Sequence, residues 1–320
     1  MTAPASTDGL AAAIRTAFGE AGADVALEPM TGGKSGAVLY TFRIDGTDYV
    51  IRESGTVNPQ DPDRPSRELA CIRIAADLGV APRLVFGDAA TGITIMAKIT
   101  GTPIGRGTAR DDDPLARIAR TLRVLHRGPK FPAGPGFAAM FGQLDQGLRA
   151  RGGSPLPAVL VDVMTKVAPL VEQGAEPVSC HRDLNPTNIL ATPFSIHLVD
   201  WEVAGLADPF LDLAQLGIWV CVDADERDHL LECYLERAPS PEEVVRAQRC
   251  RVLALGFYAA AFHLVSMFAG RTVAPATDDG ALDRVFARMA ATGRPFEPDD
   301  MAAALVSELA REARVAGLLE

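Results

Sequence analysis

The sequence predicts an α+β fold of two lobes: a small front lobe built on an antiparallel sheet and a larger, mainly helical back lobe. Three observations predict it. Runs rich in β-branched and aromatic residues, bounded by glycine turns, cluster before residue 98. Helical patterning takes over after the break Thr100-Gly101-Thr102-Pro103. One short β-like region, Ser179 to Asp200, interrupts the helical part. Strands followed by helices is the order of an α+β chain, and 320 residues are enough for two lobes.

Each element has its own signal. Residues 8–20 carry the apolar spacing of an amphipathic helix. AVLYTFRI and DYVIRE are β-rich and flank Asp45-Gly46, which reads as a hairpin turn. Residues 55–65 hold Pro and Asp and form a loop. A helix follows from Ser66, its expected N-cap, to Leu78. PRLVFGD and GITIMAKI complete the sheet. Further on, VLALGFYAAAFHLVSMFAG runs for nineteen residues without a formal charge. That length can just span a bilayer. It nonetheless contains His263, Ser266 and Gly256, owes its hydropathy largely to alanine and has no second copy, so a buried core helix is expected.

Composition narrows the function. The formal net charge is −10, which argues against a general nucleic-acid binder and permits a cationic substrate. The five cysteines are scattered without metal spacing, as in a cytosolic protein with reduced thiols. The N-terminal MTAPASTDGLAAAIRT lacks the pattern of a signal peptide, so a cytoplasmic protein is expected.

The chemistry concentrates in CHRDLNPTNIL, residues 180–190. The chain has three asparagines, and two of them, Asn185 and Asn188, lie here. His181-Arg182-Asp183-Leu184-Asn185-Pro186-Thr187-Asn188 fits H-R-D-x-x-x-x-N, the catalytic-loop pattern of phosphoryl transfer. The spacing has a reason. An aspartate orients an acceptor hydroxyl and takes its proton; five residues on, past a tight turn, an asparagine oxygen can reach Mg²⁺ on the phosphates of ATP. A second ligand should come from a strand end, and the apolar run IHLVD ends in Asp200. Asp, Asn and Pro also build ordinary turns. The loop, the strand and its terminal Asp in this order are far more specific than any one of them.

HRDLNPTNIL and LVDWEVAGLADPFLDLA, residues 198–214, together with LHRGPKFPAGPGF, residues 125–137, resemble the aminoglycoside phosphotransferase and choline kinase superfamily, and more closely its choline, ethanolamine and thiamine kinase branch. The resemblance implies a bilobal protein-kinase-like fold and ATP-dependent phosphorylation of a small-molecule alcohol. It implies a nucleotide-binding lobe over 1–98, a linker near 96–101 and a catalytic and acceptor lobe over 102–320. By position, Asp183 resembles the catalytic base, and Asn188 and Asp200 the Mg²⁺ ligands. Asp212 resembles the buried aspartate that holds the loop, and His181 is expected to orient the loop backbone. Arg182 departs from the family, which usually has glycine or another small residue there.

At the nucleotide end, Gly32, Gly33, Ser35 and Gly36 resemble the family's glycine-rich loop, whose backbone would face phosphates. A P-loop is excluded, because its first glycine would be Glu28. Arg52 stands where the kinase pattern wants lysine, with Glu68 as its expected partner. At the acceptor end, the candidates are Glu202 for an amine and Trp219 and Tyr258 for a cation held by rings. Phe257, Tyr258 and Phe262 also have the spacing of core residues. Two further readings share these motifs: an aminoglycoside antibiotic phosphotransferase, and a non-catalytic ATP-binding module.

Overall fold

The computed structural model describes residues 7–30, 37–54, 61–106, 108, 111, 113–275 and 280–320. Helix α1 (Thr7–Phe18) precedes strands β1 (Glu28–Pro29), β2 (Val38–Ile44) and β3 (Thr47–Glu53). Then come α2 (Arg64–Asp77), β4 (Leu84–Asp88), β5 (Ile93–Ala97) and β6 (Thr102–Pro103). The first five strands form an antiparallel sheet in the order β1-β2-β3-β5-β4. The expected hairpin is present: Asp45 and Gly46 have φ of 48° and 79°, the two left-handed residues that a tight β2–β3 connection needs.

Two boundaries differ from expectation. The first helix ends at Phe18 and tightens into a 3₁₀ turn over Gly19–Gly22. Helix α2 starts at Arg64, with Asp63 rather than Ser66 in the N-cap position. Pro65 explains the earlier start, because its fixed φ and missing N–H suit a first helical turn.

The rest is mainly helical: α3 (Pro114–His126), α4 (Phe137–Ala150), α5 (Ala158–Glu172), α6 (Phe210–Trp219), α7 (Ala224–Leu235), α8 (Pro241–Phe268), α9 (Ala281–Thr292) and α10 (Pro298–Val315). Four short strands lie between α5 and α6: β7 (Val178–Cys180), β8 (Ile189–Ala191), β9 (Ile196–Leu198) and β10 (Gly205–Ala207). β10 pairs with β7, and β6-β8-β9 form a small sheet. The front lobe has its own core, in which Leu10 and Ile14 of α1 pack with Phe42, Ile51 and Ile95 of the sheet. Cys71, Ile72 and Ala75 of α2 belong instead to the large core of the helical lobe. Helix α2 therefore ties the two lobes together.

The charge-free run becomes the C-terminal part of α8. Residues 250–256, 258–260, 263 and 266 are buried, and the helix packs on α4, α5, α6 and α10. Ser240 opens it with a capping box: its side chain accepts from the Glu243 N–H, and Glu243 accepts from the Ser240 N–H. Gly256 permits close approach, since a Cβ there would collide with Met164 and lie 3.3 Å from Leu309 Cδ1. Gly256→Val is expected to cost about 1–3 kcal/mol through overpacking, read as a lower midpoint in urea unfolding.

Candidate active site

The loop after β7 is held from below by α6. The backbone N–H groups of His181 and Arg182 each donate to the Asp212 carboxylate at 2.9 Å. His126 Nε2 donates to the same group at 3.0 Å, and its Nδ1 accepts from the Tyr234 hydroxyl at 2.9 Å. Burial opposes ionisation of Asp212, but the His126 hydrogen bond and the nearby His126, His181 and Arg182 groups outweigh it and lower its pKa. Gln215 lies one turn further along α6. It accepts from the Leu184 N–H at 3.0 Å and donates to the Arg182 carbonyl. Sequence reasoning missed Gln215; its signal was a polar residue three positions beyond Asp212 in the otherwise apolar FLDLAQLGIW.

Arg182 sits at φ 70°, the left-handed region that favours glycine. That is a physical reason for a small residue at this position. Here the side chain is buried over the Phe137 ring at 4.7 Å and donates to the Pro135 carbonyl at 2.9 Å. Burial lowers its pKa to about 10, although Asp212 and Glu172 oppose the shift.

Asp183 follows directly. Its carboxylate accepts from Asn185 Nδ2 and Asn188 Nδ2, each at 3.1 Å, and from the Tyr258 hydroxyl at 3.0 Å. Burial raises its pKa, and the charge of Asp200 adds to the rise. Asn188 also donates to the Asp183 carbonyl at 2.9 Å, which commits its amide nitrogen, while its oxygen accepts from the Thr187 hydroxyl at 3.4 Å. His181 supports the turn: its Nε2–H donates to the Val199 carbonyl at 3.0 Å, and its Nδ1 accepts from the Asp183 N–H at 3.3 Å. Its ring packs on buried Trp201 at 4.6 Å, so Trp201 lies beneath the loop rather than at an acceptor wall.

Pairing of β8 with β9 brings the metal-type residues together, because Ile189 stands opposite Leu198 and the Val199 N–H donates to the Asn188 carbonyl. Asp200 then turns through φ 66° at the end of β9. Arg52 reaches it from β3, with Nη2 3.4 Å from Asp200 and 3.6 Å from Glu202, while Nη1 pairs with Glu68 of α2. Arg52 and Glu68 are both buried. Burial raises the pKa of Glu68 despite the attraction of Arg52. Burial and Asp200 push Glu202 up to about 7. Glu202 thus stands with the Arg52 and Asp200 charges rather than with Tyr258.

On the other side of Asp183, Tyr258 lies edge-on to Trp219 at 5.1 Å. Phe262, Phe286 and Phe296 complete the ring cluster around Trp219, and Arg106 covers Phe286 at 4.3 Å. Both Trp219 and Tyr258 are buried. Gly32, Gly33, Ser35 and Gly36 lie outside the described residues.

An aspartate on a pinned loop, beside an asparagine and a strand-end aspartate, on a bilobal protein-kinase-like scaffold, is the pattern of a phosphotransferase. The chain belongs to the phosphotransferase enzyme family, whose model matches residues 30–245. It is 38% identical over 55 residues to the protein LicA of Haemophilus influenzae, a match spanning 17% of this chain and 21% of that protein's length. Among solved structures, it is similar to a choline/ethanolamine kinase family protein from Mesorhizobium loti, with TM-score 0.62 and 24% identity, covering 94% of this chain and 99% of that one. It is also similar to a spectinomycin phosphotransferase in complex with ADP and spectinomycin, with TM-score 0.57 and 16% identity, covering 95% and 100% of the two chains.

Asp212→Ala strands two backbone N–H groups and the His126 N–H in the core. It is expected to lower stability by about 3 kcal/mol or more, measured by chemical denaturation.

Proposed function

We propose that this protein transfers the γ-phosphoryl group of ATP to the hydroxyl of a small amino alcohol of the choline or ethanolamine type. The observation that carries this reading is the setting of Asp183, whose carboxylate lies between the Tyr258 hydroxyl on one side and Asn188 on the other. Residues 1–98 would hold the nucleotide and residues 102–320 the catalytic loop and acceptor. The nucleotide assignment is supported by the ADP in the spectinomycin phosphotransferase complex. The amino-alcohol assignment is supported by the likeness to a choline/ethanolamine kinase family protein. Rings beside Asp183, Tyr258 and Trp219 foremost, suit a desolvated cationic head.

Asp183 would orient the acceptor hydroxyl and receive its proton as the oxygen attacks phosphorus and ADP departs. Tyr258 would keep that carboxylate in place and partly offset the effect of burial on its pKa. The Asn188 oxygen, which meets only the Thr187 hydroxyl at 3.4 Å among the described residues, and the Asp200 carboxylate are hard donors that fit Mg²⁺, with Glu202 adjacent. When bound, the ion would neutralise charge on the phosphates. Arg52 would fix Glu68 and meet phosphate oxygens through its planar fork.

The decisive experiment follows ADP release from ATP and Mg²⁺ with choline, ethanolamine, thiamine, homoserine, sugars and aminoglycosides. Turnover with an amino alcohol is expected. Turnover with aminoglycosides alone would replace this reading with antibiotic modification, and nucleotide binding without turnover on any acceptor would favour a non-catalytic module. Asp183→Asn should retain nucleotide binding and lose turnover by about 10³-fold or more, by steady-state kinetics. Tyr258→Phe removes a hydrogen bond to a charged group worth about 1.5–3 kcal/mol, so kcat should fall roughly 10- to 100-fold. Because that hydrogen bond lowers the Asp183 pKa, its loss should move the acidic limb of the pH–rate profile to higher pH.

A further inference from the structure

A second cluster of chemistry-bearing side chains lies apart from this machinery, where α3 meets α7. His229 and Cys233 are four residues apart on α7, so their side chains stack on one face. Asp113 is the N-cap of α3 and faces them. His229 Nε2 lies 3.0 Å from Asp113 Oδ2, and Cys233 Sγ lies 3.6 Å from His229 Nε2. The three ligand-type atoms all fall within 4.8 Å of one another.

The three atoms are close enough together to share one ion. With metal–sulfur and metal–nitrogen bonds of about 2.3 and 2.05 Å, a tetrahedral angle puts sulfur and nitrogen about 3.6 Å apart, and nitrogen and oxygen about 3.3 Å apart. Asp113 Oδ2 now lies along the His229 Nε2–H direction and Cys233 Sγ is nearly equidistant from the two ring nitrogens, at 3.6 and 3.8 Å, so closing on one ion requires the half-exposed His229 ring to turn. Asp113 Oδ1 caps the Ala116 N–H at 3.0 Å, which leaves Oδ2 for another partner. Arg123 engages the backbone carbonyl of Cys233 and not its thiol. Cys233 is half-buried, whereas Cys71, Cys180, Cys221 and Cys250 are buried. The side chains of Asp113 and His229 are each about half exposed, at 48% and 47%, so an ion can enter from solvent. Burial raises the pKa of the Cys233 thiol, Asp113 and Glu232 add to the rise, and Arg123 opposes it.

We propose that Asp113, His229 and Cys233 form a binding site for a borderline-soft divalent cation, Zn²⁺ foremost, with water in the fourth position. The thiol loses its proton to solvent as the metal–sulfur bond forms. The ion would join the start of α3 to α7, the two helices that also carry His126 and Tyr234, themselves joined at 2.9 Å beneath Asp212. Binding would therefore stabilise the helix pair that buttresses the catalytic loop. The inference does not depend on the identity of the acceptor or on turnover.

The test uses the full chain after chelation. One equivalent of Co²⁺ is expected to produce a near-ultraviolet thiolate-to-cobalt band, which one equivalent of Zn²⁺ displaces and excess Mg²⁺ does not. The band should vanish in Cys233→Ser, and Zn²⁺ affinity should fall at least tenfold in His229→Ala. Zn²⁺ should also protect Cys233 from alkylation and raise the thermal midpoint of the unaltered protein, a readout that survives if a variant fails to fold. Absence of the band, its persistence in Cys233→Ser, or alkylation of Cys233 indifferent to Zn²⁺ would overturn the proposal.

Discussion

One buried carboxylate organises the site. Asp212 accepts two consecutive backbone N–H groups and the His126 N–H, so the turn from β7 into the catalytic loop has one geometry. That turn carries Arg182 through a left-handed conformation that costs an ordinary residue about 1–2 kcal/mol. The hydrogen bonds to Asp212 offset this cost and aim Asp183 away from α6. Because the folded pKa of Asp212 is lowered, its contribution is complete above the unfolded value of about 3.9 and is lost as the pH falls through the folded value.

The same loop is clamped from its other end. Gln215 binds both faces of the Arg182–Leu184 backbone, and His181 joins the loop to Val199. Asp183, Asn188 and Asp200 therefore come from segments already bonded to one another.

Much of this was legible in the sequence, and the limits have physical causes. The hairpin around Asp45-Gly46 and the helix after residue 60 announce themselves through local turn and cap chemistry, although Pro65 moved the helix start ahead of Ser66. The α8 run was readable as core because its polar residues and small side chains suit close packing. Asp183, Asn188 and Asp200 stood out because they fall in a short motif with fixed spacing, and the fold brings their segments side by side through the Val199–Asn188 hydrogen bond. The buttress of Gln215, His126 and Tyr234 did not, since its members come from three helices and only the tertiary fold joins them. Glu202 was assigned to an acceptor amine from its place beside the loop. In space it faces Arg52, 150 residues earlier in the chain.

Arg52 shows why the lysine position can hold arginine without dismantling the site. A lysine ammonium is a point charge, but a guanidinium presents a planar fork with separate donor edges. Here one edge serves Glu68 on α2, and the other approaches Asp200 and Glu202 at the end of β9. One side chain on β3 thus links the sheet, the helix that bridges the lobes and the strand end beside Asn188. Burial and the charge of Asp200 raise the pKa of Glu202 to about 7 even though Arg52 and Arg64 both oppose the rise. The arginine and the acidic side chains that surround it thus form one electrostatic unit.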